Sequence, residues 1–202
     1  MGGAQGHRDP DVPRMSTALV VAHDVYGPDA HLRAMAEAVR GPGWTVSTPN
    51  FLPGGVVHPH DREAEAYRRF TDEVGVDAMA RSLAAHAADL RTGHERVLCL
   101  GFGVGAAATW LASDAFDSIV CVYGSRIRDH IGHVPRVPCL AILAGHEPGS
   151  DPCEVAGQIT GPTVAVEVVD AGHGFCDQDG LRHDPVRRAG VVRSARRFLH
   201  SG

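Results

Sequence analysis

The sequence contains no lysine, so its positive charge rests entirely on arginine, with 19 basic against 24 acidic residues and a formal net charge of −5. With abundant Ala, Gly and Val, this bias points to a high-GC bacterial genome and says nothing about chemistry. So mild an acidic balance lacks the basic footprint of a nucleic-acid binder. No apolar run approaches the roughly 20 residues needed to span a bilayer, and the N-terminus has no charged segment leading into an apolar one. The expectation is a cytoplasmic protein that meets neither nucleic acid nor membrane. Cysteine is sparse and scattered: Cys99, Cys121, Cys139, Cys153 and Cys176 form no C-x-x-C pair, which leaves no zinc or redox motif. They read as reduced, mostly core residues. Internal repeats and low-complexity tracts are absent.

What is present suffices for a core. Hydrophobic residues make up 44% of 202 positions, enough for one domain over residues 16–202. Residues 1–15, rich in Gly, Pro and charge and without an apolar period, read as a flexible arm. Thr17 to His23 is a short apolar run suited to a buried strand, and Asp29 opens a helix whose Leu32, Met35, Ala36 and Val39 share one face. Further strands are expected at Trp44 to Thr48, Arg96 to Leu100, Ser118 to Tyr123, Cys139 to Leu143 and Val164 to Val169. Helices fall at about Arg62 to Thr71, Val76 to Arg91, after Gly105, at Cys153 to Gln158 and at Pro185 to Leu199. This alternation predicts an α/β fold with a mostly parallel sheet covered on both faces. In such a sheet ligands bind beyond the carboxyl ends of the strands. The residues standing there are His23, Asp24, Gly103, Tyr123, Glu147 and His173.

The segment Leu100-Gly101-Phe102-Gly103-Val104-Gly105-Ala106 has the strand, glycine turn and small-residue helix start of a nucleophile elbow. Gly-x-Gly-x-Gly turns also bind phosphate, but a dinucleotide fold would carry that turn after its first strand. Glu147 follows one later strand and Gly172-His173 the next. The order elbow, acid, histidine is that of α/β-hydrolase triads, with Glu147 orienting His173 and stabilising its protonated form.

On these residues the chain resembles the dienelactone hydrolase family, over nearly all of its length after residue 16. Val21-Ala22-His23-Asp24-Val25-Tyr26-Gly27 looks like the family's first active-site loop. Ala66-Tyr67, Val120 to Gly124, His133 to Gly145 and Ala171 to Phe175 look like further family segments. The resemblance implies an α/β-hydrolase fold. It makes Asp24 the acid beside the nucleophile, gives Val25 and Val104 the oxyanion-hole N–H groups, and places Tyr67, Tyr123 and Phe175 with the pocket. His23 either faces that pocket or is a hydrogen-bonded histidine at a strand end.

The departures bear on function. The family's cysteine or serine nucleophile corresponds to Gly103, which cannot form an ester or thioester intermediate, and the missing side chain is expected to leave a small space for substrate or water. Two family arginines correspond to Glu63 and Asp177, which disfavours an anionic ligand unless Arg62 or Arg126 moves in. His58, His60 and Asp61 read as a solvated loop rather than a metal site. No metal or cofactor is expected, and the partner is a small neutral carbonyl compound on a monomer or homodimer.

Three readings follow. One is non-covalent acid/base chemistry by His173, Glu147 and Asp24, such as cyclisation, elimination, isomerisation or water addition, in bacterial specialised metabolism. Another is a non-catalytic binding protein. The third is a hydrolase with its nucleophile relocated to Cys176 or Ser125.

Overall fold

The computed structural model describes residues 16–159 and 161–201; the arm expected at 1–15 lies outside them. Six strands form one sheet: β1 (Thr17–Ala22), β2 (Thr45–Ser47), β3 (Arg96–Phe102), β4 (Ser118–Val122), β5 (Cys139–His146) and β6 (Val164–Gly172). They lie in the order β2-β1-β3-β4-β5-β6, and every neighbouring pair is parallel. Among the described residues six α-helices connect or flank them: α1 (Ala30–Val39), α2 (Glu63–Glu73), α3 (Val76–Leu90), α4 (Val104–Leu111), α5 (Pro152–Gln158) and α6 (Pro185–Leu199).

The central strands are apolar at successive positions because both sheet faces are covered. Alternate residues serve different cores. Val20, Val97, Cys99, Ile119, Cys121 and Ala141 pack with Phe70 of α2, Met79 and Leu83 of α3, and Trp110 of α4. Their neighbours Leu19, Val21, Leu98, Leu100, Val120 and Ile142 pack with Leu32, Met35 and Val39 of α1 and Val191, Ala195 and Leu199 of α6. Each large side chain so buried contributes about 1.5–3 kcal/mol.

Helix starts are specified locally. Asp29 accepts the N–H of Leu32 at 2.8 Å, and Asp151 and Asp184 cap α5 and α6 in the same way, each followed by proline at the first helical position. The turn from β3 into α4 depends on glycine. A Cβ on Gly101 would lie 2.5 Å from Gly105 O, and one on Gly105 would lie 2.3 Å from His23 O. Those glycines let α4 sit hard against the ends of β1 and β3, and this brings the residue after one strand to the residue after the other.

Candidate functional site

Asp24, Gly103, Tyr123, Glu147 and His173 all follow strands at the carboxyl edge of the sheet, so parallel pairing alone gathers them. Gly103 stands at the tip of the β3–α4 turn with φ 53°, in the left-handed region. A Cβ there would meet the Asp24 carboxyl carbon and both its oxygens at 2.2 Å. The small space expected beside Gly103 is therefore not open: the carboxylate of Asp24 fills it.

The N–H groups of Val25 and Val104, which the resemblance makes an oxyanion hole, converge on a group of the chain itself. Both donate to Asp24 Oδ1, at 2.8 and 3.2 Å. Asp24 Oδ2 faces His173 Nε2 at 3.7 Å, an ion-pair distance rather than a direct hydrogen bond. On the other side of the ring His173 Nδ1 lies 2.9 Å from Glu147 Oε2. The imidazole is thus held between two carboxylates.

Charge follows from this arrangement. Burial works against a charged His173, but Asp24 and Glu147 outweigh it and lift its pKa to about 10, so the ring is imidazolium at neutral pH. Burial also works against a charged Asp24, and there the His173 imidazolium and the two backbone N–H groups win, holding the carboxyl below its usual range.

The array opens into a cavity of about 280 Å³. Asp24, Val25, Val104, Tyr67, Tyr123, Glu63, Asp177, Glu147 and His173 all line it. Tyr123 is held at φ 40°, a strained conformation for a non-glycine residue, with its ring 5.1 Å from that of His173. Arg126 lines the cavity and hydrogen-bonds the Tyr67 hydroxyl, whereas Arg62 pairs with Glu65 on the exposed surface. The wall carries five carboxylates (Asp24, Asp29, Glu63, Glu147 and Asp177) against the His173 imidazolium and two arginines, Arg126 and Arg182.

Several expectations are corrected. His23 does not face the cavity: it is fully buried, accepts the Phe51 N–H at Nε2 (2.9 Å) and donates from Nδ1 to Asp24 O (2.6 Å). Burial lowers its pKa, and the neutral ring ties the end of β1 to the loop after β2. Phe175 also lies in the core rather than in the cavity wall, edge-on to Tyr123 at 5.7 Å. Cys176 is fully buried away from the cavity, and burial pushes its thiol far up, which removes it as a nucleophile. Ser125 lines the cavity, but both ring nitrogens of His173 face carboxylates, so it is not the imidazole's partner. His60 is not a solvated loop residue. Its Nε2 lies 2.9 Å from Asp29 Oδ2 and its Nδ1 2.7 Å from Asp177 Oδ2, and its ring stacks on Tyr26. Asp29, His60 and Asp177 bring ligand atoms within 4.8 Å of one another, yet both His60 nitrogens are already spent on the two acids.

Sequence reasoning missed Tyr26, His31, His60 and Arg182 as cavity residues, and took Asp29 only as a helix cap. Tyr26 and Asp29 lie in the loop that carries Asp24, and that proximity was the available signal. Nothing in the pattern around His31 or Arg182 marked them.

An all-parallel α/β sheet with a strand–glycine–helix turn and an acid and a histidine following its later strands defines the α/β-hydrolase class of fold. Within it the chain belongs to the dienelactone hydrolase family, whose family model matches residues 7–198. The uncharacterized protein YczH of Bacillus subtilis is 29% identical over 168 residues, 81% of this chain and 82% of that one. Two solved structures share the fold. One is a dienelactone hydrolase from Anabaena variabilis (TM-score 0.68, 18% identity, 92% of this chain and 86% of that one). The other is P91, a dienelactone hydrolase-like promiscuous phosphotriesterase from metagenomic libraries (TM-score 0.69, 15% identity, 92% and 86%). Among the described residues no helix is long and apolar enough to cross a membrane.

Proposed function

We propose that the chain is an enzyme of small-molecule metabolism that works by acid/base chemistry on a neutral carbonyl compound, with glycine, Gly103, where its family carries a nucleophile. The observation that carries this reading is the Asp24 carboxylate standing in the place a side chain on Gly103 would take, against an imidazolium oriented by Glu147. A hydroxyl or thiol able to form an acyl-enzyme is missing from that place, whereas a base and an acid are present.

Each group has a role. Because Asp24 Oδ1 already takes the N–H groups of Val25 and Val104, a substrate oxygen is polarised instead by His173 Nε2–H. Asp24 Oδ2 removes a proton from the carbon next to the carbonyl, and an enol or enolate forms beside the imidazolium. Engaging His173 with substrate weakens its hold on Asp24, which raises the basicity of the carboxylate when it is needed. Isomerisation, elimination and cyclisation all begin with this proton transfer. The acid-rich wall favours a neutral substrate over an anionic one.

Exchange of solvent deuterium into cyclohexanone and γ-butyrolactone, followed by NMR, tests the reading. Wild-type protein is expected to accelerate exchange, and Asp24→Asn and His173→Ala to abolish the acceleration. Exchange no faster with wild type than with both variants overturns it, and tight binding of such compounds without any conversion favours a binding protein.

A further inference from the structure

The fixation of Asp24 suits it for more than taking protons. Two N–H donors hold Oδ1, while Oδ2 carries neither of them and the side chain is a fifth exposed to the cavity. A carboxylate so held leaves Oδ2, the oxygen that takes no backbone N–H, with little freedom left to lose. Toward a carbon bearing a leaving group, that oxygen is a nucleophile.

We infer that the same array hydrolyses small alkyl electrophiles, primary alkyl halides and epoxides, through an alkyl ester on Asp24. This rests on the Asp24–His173–Glu147 assignment made above and adds a covalent step to it. In the first half, a lone pair of Asp24 Oδ2 forms the bond to carbon and the carbon–halogen bond breaks, its electron pair leaving with halide. With an epoxide, the ring C–O bond breaks and the ring oxygen takes the Nε2 proton of His173. Asp24 is now neutral, so one of the two carboxylates that hold the imidazolium has lost its charge. In the halide case the imidazolium releases its proton to solvent, and in both cases the ring is left neutral.

The second half uses the groups in their new states. His173, kept in orientation by Glu147 at Nδ1, takes a proton from water as the water oxygen attacks Asp24 Cγ. Negative charge develops on Oδ1, which already lies between the N–H groups of Val25 and Val104. These two donors then stabilise the enzyme's own ester rather than a substrate carbonyl. Collapse breaks the Cγ–Oδ2 bond. The alcohol leaves with Oδ2 and a proton from His173, and the new carboxylic acid returns its proton to the ring. The balance is alkyl halide plus water giving alcohol and hydrogen halide, or epoxide plus water giving diol.

The test uses full-length protein with 1-bromobutane and 1,2-epoxybutane. In a single turnover in heavy-oxygen water with enzyme in excess, the alcohol is expected to carry ordinary oxygen, and the heavy atom is expected in the peptide containing Asp24. With His173→Gln, ester hydrolysis is expected to slow by on the order of a hundred- to ten-thousand-fold, so that intact-protein mass spectrometry finds an alkyl adduct on Asp24; Asp24→Asn gives none. Heavy oxygen in the first-turnover alcohol, or no release of bromide or diol by wild type, overturns the inference. The wild-type labelling result stands whether or not a variant folds. Loss of this activity while deuterium exchange into cyclohexanone persists removes the covalent step alone, and loss of both removes the shared array.

Discussion

A Cβ on Gly103 would lie 2.2 Å from the carboxyl carbon and both carboxyl oxygens of Asp24. The two residues exclude one another: a side chain can stand at the tip of the β3–α4 turn only if the carboxylate moves. Gly103→Ser alone is therefore expected to push Asp24 off the N–H groups of Val25 and Val104, costing about 1–3 kcal/mol of stability without producing an esterase. Paired with Asp24→Ala, the serine gains both the space and the N–H pair, and is expected to hydrolyse p-nitrophenyl acetate with a burst of acylation. A single Gly103→Ser variant as active as the pair, compared by stopped-flow absorbance and thermal melting, contradicts this account.

The imidazolium of His173 links stability to pH. Its usual pKa is 6.5, and the folded protein raises it to about 10. Between those values the native state binds a proton that the unfolded chain does not, so stability falls as pH rises through that window. The contribution is complete below pH 6.5 and gone above about pH 10. Urea titrations across this range should show the decline in wild type and a flatter profile in His173→Gln; parallel profiles for the two count against the ion pair.

Catalysis by the imidazolium predicts an alkaline limb. Deuterium exchange should hold through neutrality and fall above about pH 10 as His173 loses its proton. An ordinary histidine base would instead give activity that rises through its usual pKa of 6.5. At pH 7, His173→Ala is expected to lower the rate about a hundred- to ten-thousand-fold. Glu147→Gln is expected to cost less and to shift the alkaline limb downward, because one of the two carboxylates holding the proton has been neutralised.

His23 serves the site from behind the cavity wall. Replacing it by leucine leaves the Phe51 N–H without its acceptor and removes one of two donors to Asp24 O, which keeps the Gly27 N–H at 3.2 Å. A loss of about 1–3 kcal/mol for the stranded N–H is expected, read as a lowered urea midpoint. The Asp24 loop should loosen at the same time, read as faster amide exchange at Val25. An unchanged Val25 exchange rate in a destabilised variant shows that His23 holds the fold without holding Asp24.

Much of the architecture was legible because it is written in local terms. Alternation of Leu19 and Val20, or of Leu98 and Cys99, between two cores follows from the pleat, and a run apolar at every position announces a strand covered on both sides. Asp29, Asp151-Pro152 and Asp184-Pro185 mark helix starts by hydrogen bonds within a single turn. Placement of Asp24, Glu147 and His173 was legible for a related reason: parallel strands deliver the residues that follow them to one edge. Phe175 was misplaced and His23 left open because a strand end turns alternate side chains inward and outward, and the phase at a turn depends on φ and ψ that spacing does not specify.

The residue types by themselves determined that position 103 has no side chain and that an acid and a histidine follow in order, and the family resemblance implied that Asp24 stands beside the turn. They did not determine where the Asp24 carboxylate goes. Only the tertiary structure decided that it enters the space above Gly103 and takes the N–H groups of Val25 and Val104. The reason is that a rotamer is chosen by what surrounds it: two unpaired donors and an imidazolium, brought from positions 25, 104 and 173 by three separate strands, together outweigh the burial of a charge.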